Sequence, residues 1–323
     1  MNDIIWKLVG LGQLALLLEA SSPKPGNVNR GACFSDMDYR NFLTSAALIS
    51  RGLYQCAYRG WELGAGVRQP EQVGLGELIE LCVRDSLTGL NTKNTILGSI
   101  LLYVPLTVAI TSTLKKKALF SIDDIDNELS RIISCTSVND SICLYKTFEL
   151  TRPGGRKIKD EPEWTEIHNR YDFNNPQAVK NIIQDEVRLI DLFKISAEID
   201  EISGEWANNF PLTLRQVLPY LTEISSDLDD IEEAIVRTYI WLLSKRPDGL
   251  IVKKAGRRKA EEVHHIALDI VNGWKESKKI EEHILLLDKK LRKGGNLLNP
   301  GTTADLISAA TFCRLVSIYY SKS

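Results

Sequence analysis

Apolar positions recur at helical spacing along almost the whole chain. Ile4, Ile5, Leu8, Leu11, Leu14, Ala15 and Leu18 fall on one stripe if residues 3–20 form a helix. Phe42, Ala46, Ile49, Leu53 and Ala57 do the same across 39–60. Further helices are expected over 71–89, 94–114 and 121–135, and from Asn139-Asp140 to Leu150. More follow over 184–206, 212–225, 228–245, 257–275, 277–292 and 302–321. Ser121, with Asp124 three residues on, has the spacing of a capping box. Pro153-Gly154-Gly155 stops the helix before it. No segment alternates with period two between hairpin turns. The pattern predicts an all-α protein, a single multi-helix globular domain over 1–323. Its active site is expected in polar interhelical turns, and residues 152–180 read as a polar excursion that could cover it.

Two apolar stretches raise the question of a membrane. The first twenty residues superficially resemble a signal peptide, but Asp3 offsets Lys7 and the apolar positions are periodic, so a packed first helix is expected. Residues 94–114 carry no charge and are long enough to span a bilayer. Six Ser/Thr and Pro105 interrupt that stretch, which reads as a buried central helix, kinked or broken at Pro105. No membrane partner is expected.

Composition narrows the picture further. Forty Lys and Arg stand against 42 Asp and Glu, for a net charge of −2. That balance argues against a protein whose whole surface binds nucleic acid. The six cysteines form no C-x-x-C, and none of the four His stands at metal-ligand spacing from them. Reduced thiols in a cytoplasmic protein are expected. An apolar outer face on the first or last helix would make a homodimer the expected assembly.

The candidate chemistry lies in four polar turns. Ser22-Pro23-Lys24-Pro25-Gly26-Asn27-Val28-Asn29-Arg30 holds a lysine between two prolines, with Asp36 and Asp38 beyond it. A fixed Lys24 with Arg30 suits phosphate oxygens, and the two carboxylates suit Mg²⁺. Asn91-Thr92-Lys93-Asn94-Thr95 precedes the uncharged helix, where amides and hydroxyls cap a helix or meet phosphate. Residues 245–258 hold six basic residues in fourteen, among them Lys253, a patch for polyphosphate or for RNA. Asn299-Pro300-Gly301-Thr302-Thr303-Ala304-Asp305 is a tight turn feeding a helix, with Thr302 or Thr303 near its cap. Each set also has a plain reading as a solvated loop, a cap or a surface ion pair. No P-loop, nucleophile elbow or dinucleotide fingerprint is present.

In this order, the segments SPKPGNVNR, NTILGSILLYVPL, TRPGG, PDGLIVKKAGRRKA and LNPGTTADLISAATF resemble the triphosphoribosyl-dephospho-CoA synthase family. The form with PGNV and PGG is most similar to an archaeal-type branch. The resemblance spans nearly the whole chain. It implies an all-helical transferase that joins ATP to 3′-dephospho-CoA and releases adenine. Bacterial members carry a His after the KPG turn and in Asn-Thr-His; this chain has Cys33 in the first setting and Asn91-Thr92-Lys93 or Asn94-Thr95-Ile96 in the second.

Ribosyl transfer of this kind breaks a bond at C1 of the sugar through an oxocarbenium-like centre. Lys24, Arg30 and Lys253 are expected to neutralise the polyphosphate, with Thr302 at a helix start and Mg²⁺ on Asp36 and Asp38. Asp140 and Asp305 are expected to do the acid–base work, and Asn27, Asn94 and Asn299 to position substrate. Glu19, at the end of the first helix, reaches either this site or Lys24. Two other readings stay open. One moves phosphoribose from phosphoribosyl pyrophosphate onto a pterin-type one-carbon cofactor precursor. The other is a non-catalytic nucleotide- or RNA-binding helical protein.

Overall fold

The computed structural model describes residues 1–87, 93–154, 159, 161–274 and 280–320. Asn91, Thr92, Gly155 and the expected helix ends at 88–89, 275 and 277–279 lie outside the described residues. Seventeen α-helices and no strand occur among the described residues. They begin with α1 (Asn2–Ser21), α2 (Tyr39–Leu48), α3 (Ser50–Gly64) and α4 (Leu75–Ser86). Then come α5 (Leu97–Lys116), α6 (Ile122–Ser134) and α7 (Val138–Thr151). The short α8 (Glu166–Tyr171), α9 (Ala178–Gln184), α10 (Leu189–Ser196) and α11 (Glu201–Ala207) follow. The chain continues through α12 (Leu218–Asp227), α13 (Ile231–Leu243), α14 (Gly249–Ala255), α15 (Arg257–Gly273), α16 (Ile280–Arg292) and α17 (Gly301–Tyr320).

The uncharged segment becomes the central helix α5. Every residue from Ser99 to Leu114 is buried. Two glycines of α3 let it approach: a Cβ on Gly60 would lie 2.5 Å from the Val108 carbonyl oxygen, and one on Gly64 2.5 Å from that of Ser112. Both α1 and α5 are long and apolar enough to cross a membrane, but 89% of the apolar window of α5 is buried inside the fold and 50% of that of α1. One contiguous core runs from Leu8 on α1 to Val316 on α17, and a small satellite of Tyr145, Ala178, Ile182, Val187 and Leu192 lies under the excursion.

Pro105 does not break α5; the helix runs through it. A proline has no N–H for the carbonyl one turn back. That carbonyl belongs to Leu101, and the indole Nε1 of the buried Trp206 donates to it at 3.0 Å. A tertiary partner has replaced the missing helical one.

Two long expected helices are each divided. Residues 39–60 form two helices, α2 and α3, separated at Ile49. Residues 184–206 form α10 and α11, separated where Asp200 caps the second by accepting the Ser203 N–H at 2.7 Å. The reverse occurs at 245–258, where the basic turn contains a helix, α14, capped by Asp248. Residues 152–180 carry α8 and the start of α9. On α1, Leu14 leaves the expected stripe and is exposed. The α6 capping box forms as the spacing predicts.

Candidate active site

Three helix N-termini meet at one cleft: those of α5, α14 and α17. Asn94 caps α5 by accepting the Leu97 N–H at 3.2 Å. Asp248 caps α14 by accepting the Ile251 N–H at 3.0 Å. Its second oxygen accepts the Thr303 N–H at 2.7 Å and hydroxyl at 2.8 Å, which ties α14 to the first turn of α17. The cleft is about 1040 Å³ and is lined on this side by Glu19, Asn27, Asn94, Lys253, Asn299, Thr302 and Asp305, with Asp36 and Lys254 also on its wall. A space of that size is at the upper end for small-molecule sites.

Asp305 stands on the second turn of α17 and faces the start of α5. Its Oδ1 accepts the Ser99 N–H at 2.8 Å and the Ser99 hydroxyl at 2.6 Å. Gly98 makes room, since a Cβ there would lie 2.1 Å from Asp305 Oδ2. Loss of hydration pushes the Asp305 carboxyl up to about 7; Ser99 opposes this, while Glu19 and Asp248 add like charge. Burial raises Glu19 and Asp248 as well. A carboxyl that titrates near neutrality, facing a cleft, is suited to proton transfer.

The amides form a directed chain. Asn296 Nδ2 donates to Asp36 Oδ2 at 3.2 Å, Asn299 Nδ2 to Asn296 Oδ1 at 2.9 Å, and Asn27 Nδ2 to Asn299 Oδ1 at 2.8 Å. A carboxylate only accepts, so Asp36 sets the orientation of all three amides. Lys254 Nζ also donates to Asn296 Oδ1, at 3.2 Å. The chain ends at Asn27 Oδ1, which is buried without a hydrogen-bond partner. The loop holding Asn27 is fixed from below: Gly26 (φ 71°) donates its N–H to Asp288 on α16 at 2.8 Å, and Tyr239 on α13 donates its hydroxyl to the Pro25 carbonyl at 3.1 Å.

Seven of the expected residues therefore share the cleft, and four do not. Lys24 is fully buried behind it, 3.0 Å from Glu19 Oε1, so it cannot meet a phosphate. Burial lowers its pKa, against the pull of Glu19. Both readings of Glu19 hold, because it pairs with Lys24 and lines the cleft. Arg30 is exposed and pairs with Glu232 at 2.9 Å. Asp38 caps α2 and binds the Arg40 guanidinium at 2.9 Å, which holds its carboxyl near 2. Asp140 does not take the expected catalytic role: its oxygens accept the Gly76 N–H at 2.7 Å, the Ser137 N–H at 2.7 Å and the Ser137 hydroxyl at 2.8 Å. It is the capping-box acid of α7, at a Ser-x-x-Asp spacing legible in the sequence.

Lys253 reaches the cleft but is ion-paired with Asp200. Burial works against its charge, yet Asp200 beside it holds the pKa above the usual lysine value. Two more residues of the basic patch are neutralised in the same way, Arg246 by Glu201 at 2.6 Å and Arg257 by Glu161 at 2.7 Å. Asp200, Asp248, Glu201 and Lys254 are not singled out as site residues by the sequence; of these, Pro247-Asp248-Gly249 has the signature of a helix cap. No group of three His, Cys, Asp or Glu able to hold a metal occurs among the described residues. With Asp38 committed to Arg40, the pair expected for Mg²⁺ does not form.

The fold is all-α, and its candidate site lies in a cleft between helices. The chain belongs to the CitG family, ATP:dephospho-CoA triphosphoribosyl transferase, whose profile matches residues 5–323. It is similar to a crystal structure from Archaeoglobus fulgidus provisionally named a triphosphoribosyl-dephospho-CoA synthase, with a TM-score of 0.58 and 22% identity over 86% of this chain and 99% of that one. No curated protein matches.

Proposed function

We propose that this transferase moves the 5-triphosphoribosyl group of ATP onto a ribose hydroxyl of 3′-dephospho-CoA and releases adenine. The observation that carries this reading is the buried Asp305 carboxyl, raised to about 7 and held against the start of α5 in the cleft. In the reaction, the C1–N bond to adenine breaks and the base takes up a proton. The acceptor oxygen bonds to C1 and loses a proton. Ionised Asp305, with Glu19 beside it, lowers the energy of the cationic sugar and accepts the hydroxyl proton. Thr302 and the N-terminus of α17, with Lys253 and Lys254, face the triphosphate. Asn27 Oδ1 accepts a hydrogen bond from a sugar hydroxyl. Asn94 keeps the start of α5, and so Ser99, in place.

Magnesium enters this reading with the triphosphate, because Mg²⁺ is commonly held by one or two carboxylates plus substrate phosphates. Asp36 is its proposed protein ligand. The pairing of Arg246, Lys253 and Arg257 with acids disfavours the RNA-binding reading.

The test is mass spectrometry of purified protein with Mg²⁺, ATP and dephospho-CoA. Free adenine together with a triphosphoribosylated product is expected. Adenine absent, with pyrophosphate released from phosphoribosyl pyrophosphate instead, would replace the donor and favour the pterin-type acceptor.

A further inference from the structure

The other wall of the cleft has a different chemistry. Phe148 at the end of α7, Trp164, Tyr171 and Phe173 from the excursion, and Leu192 and Phe193 on α10 line it. Two of the rings pack together: Phe148 and Phe173 have centroids 5.5 Å apart at 59°. Phe173 is 38% exposed, an open aromatic face on the cavity rather than core. The polar groups on this wall are mostly spent. His168 Nε2 bonds the Ile195 carbonyl and its Nδ1 bonds Thr165, and Lys159 pairs with Asp172. The exceptions are the exposed Glu149 and, three residues on, Arg152. Arg152 sits in left-handed backbone (φ 43°) at the end of α7, lines the cleft, and has no ion pair among the described residues.

An aromatic wall with an unpaired guanidinium, joined to the reacting pole in a single cavity, fits a long uncharged arm tied to a diphosphate. We infer that this wall binds the acceptor, with the pantetheine arm of dephospho-CoA lying along Phe148 and Phe173 and its diphosphate on Arg152. The inference rests on the transfer reaction proposed above. ATP has no comparable arm, and its triphosphate and reacting carbon belong at the polar pole. Its base must also leave as free adenine, which a deep aromatic clamp would slow. Contacts to the unreacting arm hold the acceptor hydroxyl against the sugar carbon.

Phe148 packs in part on the main core, so the half-exposed Phe173 gives the cleaner variant. For Phe173→Ala and Arg152→Ala, KM for dephospho-CoA should rise about tenfold, a loss of roughly 1.4 kcal/mol. kcat and the KM for ATP should stay within about twofold of wild type. ADP-ribose, which keeps the adenosine diphosphate but has a sugar in place of the arm, should lose nothing in Phe173→Ala. A rise in KM for ATP, or an equal loss with both acceptors, would overturn the assignment. Calorimetry with 4′-phosphopantetheine as probe separates this inference from the reaction. Binding by the wild type that weakens in Phe173→Ala sustains the wall even if no adenine is released. Absence of binding by the wild type defeats it even if adenine is released.

Discussion

Asp305 and Gly98 constrain each other at the start of the central helix. With a Cβ on Gly98 only 2.1 Å from Asp305 Oδ2, Gly98→Ala must displace the carboxyl. A shift of about an ångström at a reacting group costs on the order of 10²-fold, and kcat should fall by that much. Asp305→Asn should lose about 10²–10⁴-fold as the base is removed. The raised pKa has a definite sign in both activity and stability. In wild type, kcat/KM should rise with pH through about 7, as Asp305 ionises. Ser99→Ala removes a hydrogen bond that favours the charged form, so that rise should move to higher pH. For stability, the unfolded carboxyl ionises near 4 and the folded one near 7, so the folded state binds the extra proton between them and stability falls as pH rises across that window. Asp305→Asn escapes this cost. Its melting temperature relative to wild type should climb from pH 4 to pH 7 and then level off; a flat difference would refute the buried-carboxyl account. Residue types alone carried Asp305, Asn299 and Thr302, because a tight turn before a helix concentrates them. They misled at Lys24, since a lysine beside a buried acid looks the same in sequence as a phosphate ligand, and at Asp140, whose Ser-x-x-Asp spacing already pointed to the cap it forms.

At the level of the element, α5 depends on a bond from outside itself. Trp206→Phe keeps most of the ring volume but leaves the Leu101 carbonyl without its donor. A buried polar group left unpaired costs about 1–3 kcal/mol, and chemical denaturation should show a loss of that order. Trp206→Phe with Pro105→Ala should recover part of it, because an alanine in place of the proline supplies the helical N–H. The helical periodicity of the chain was legible because most helices bury one stripe against a common core. The break at Ile49 was not: α2 and α3 both keep the apolar spacing, and only packing against α1 and α4 separates one from the other. Asp200 and Asp248 were missed for a related reason. Each caps a helix of seven residues, too short for periodicity to register.

For the whole molecule, the cleft is built from segments far apart in the chain. Asn27 and Asn299 touch across 272 positions. The site therefore forms only with the complete core, and a ligand that fills it should stabilise the fold as a unit. ATP at a hundred times its dissociation constant should add about 2.7 kcal/mol, read as a raised melting temperature. The charge map carries a second expectation. Because Arg246, Lys253 and Arg257 of the basic patch are paired internally, RNA should not be retained in a salt-dependent manner at low ionic strength.

The file of amides from Asp36 to Asn27 stores one bit. Each amide can be read in only one of two senses, and each copies the sense of its neighbour. Two independent locks write that bit at Asn296, the acid that can only accept and the lysine that can only donate. Asp36→Asn alone erases one copy and leaves the message intact. Neutralising Lys254 as well frees the file to reverse, and Asn27 would then present a donor where it now presents an acceptor. A site that reads hydroxyl hydrogens would be rewritten to read lone pairs, from two positions at its rim.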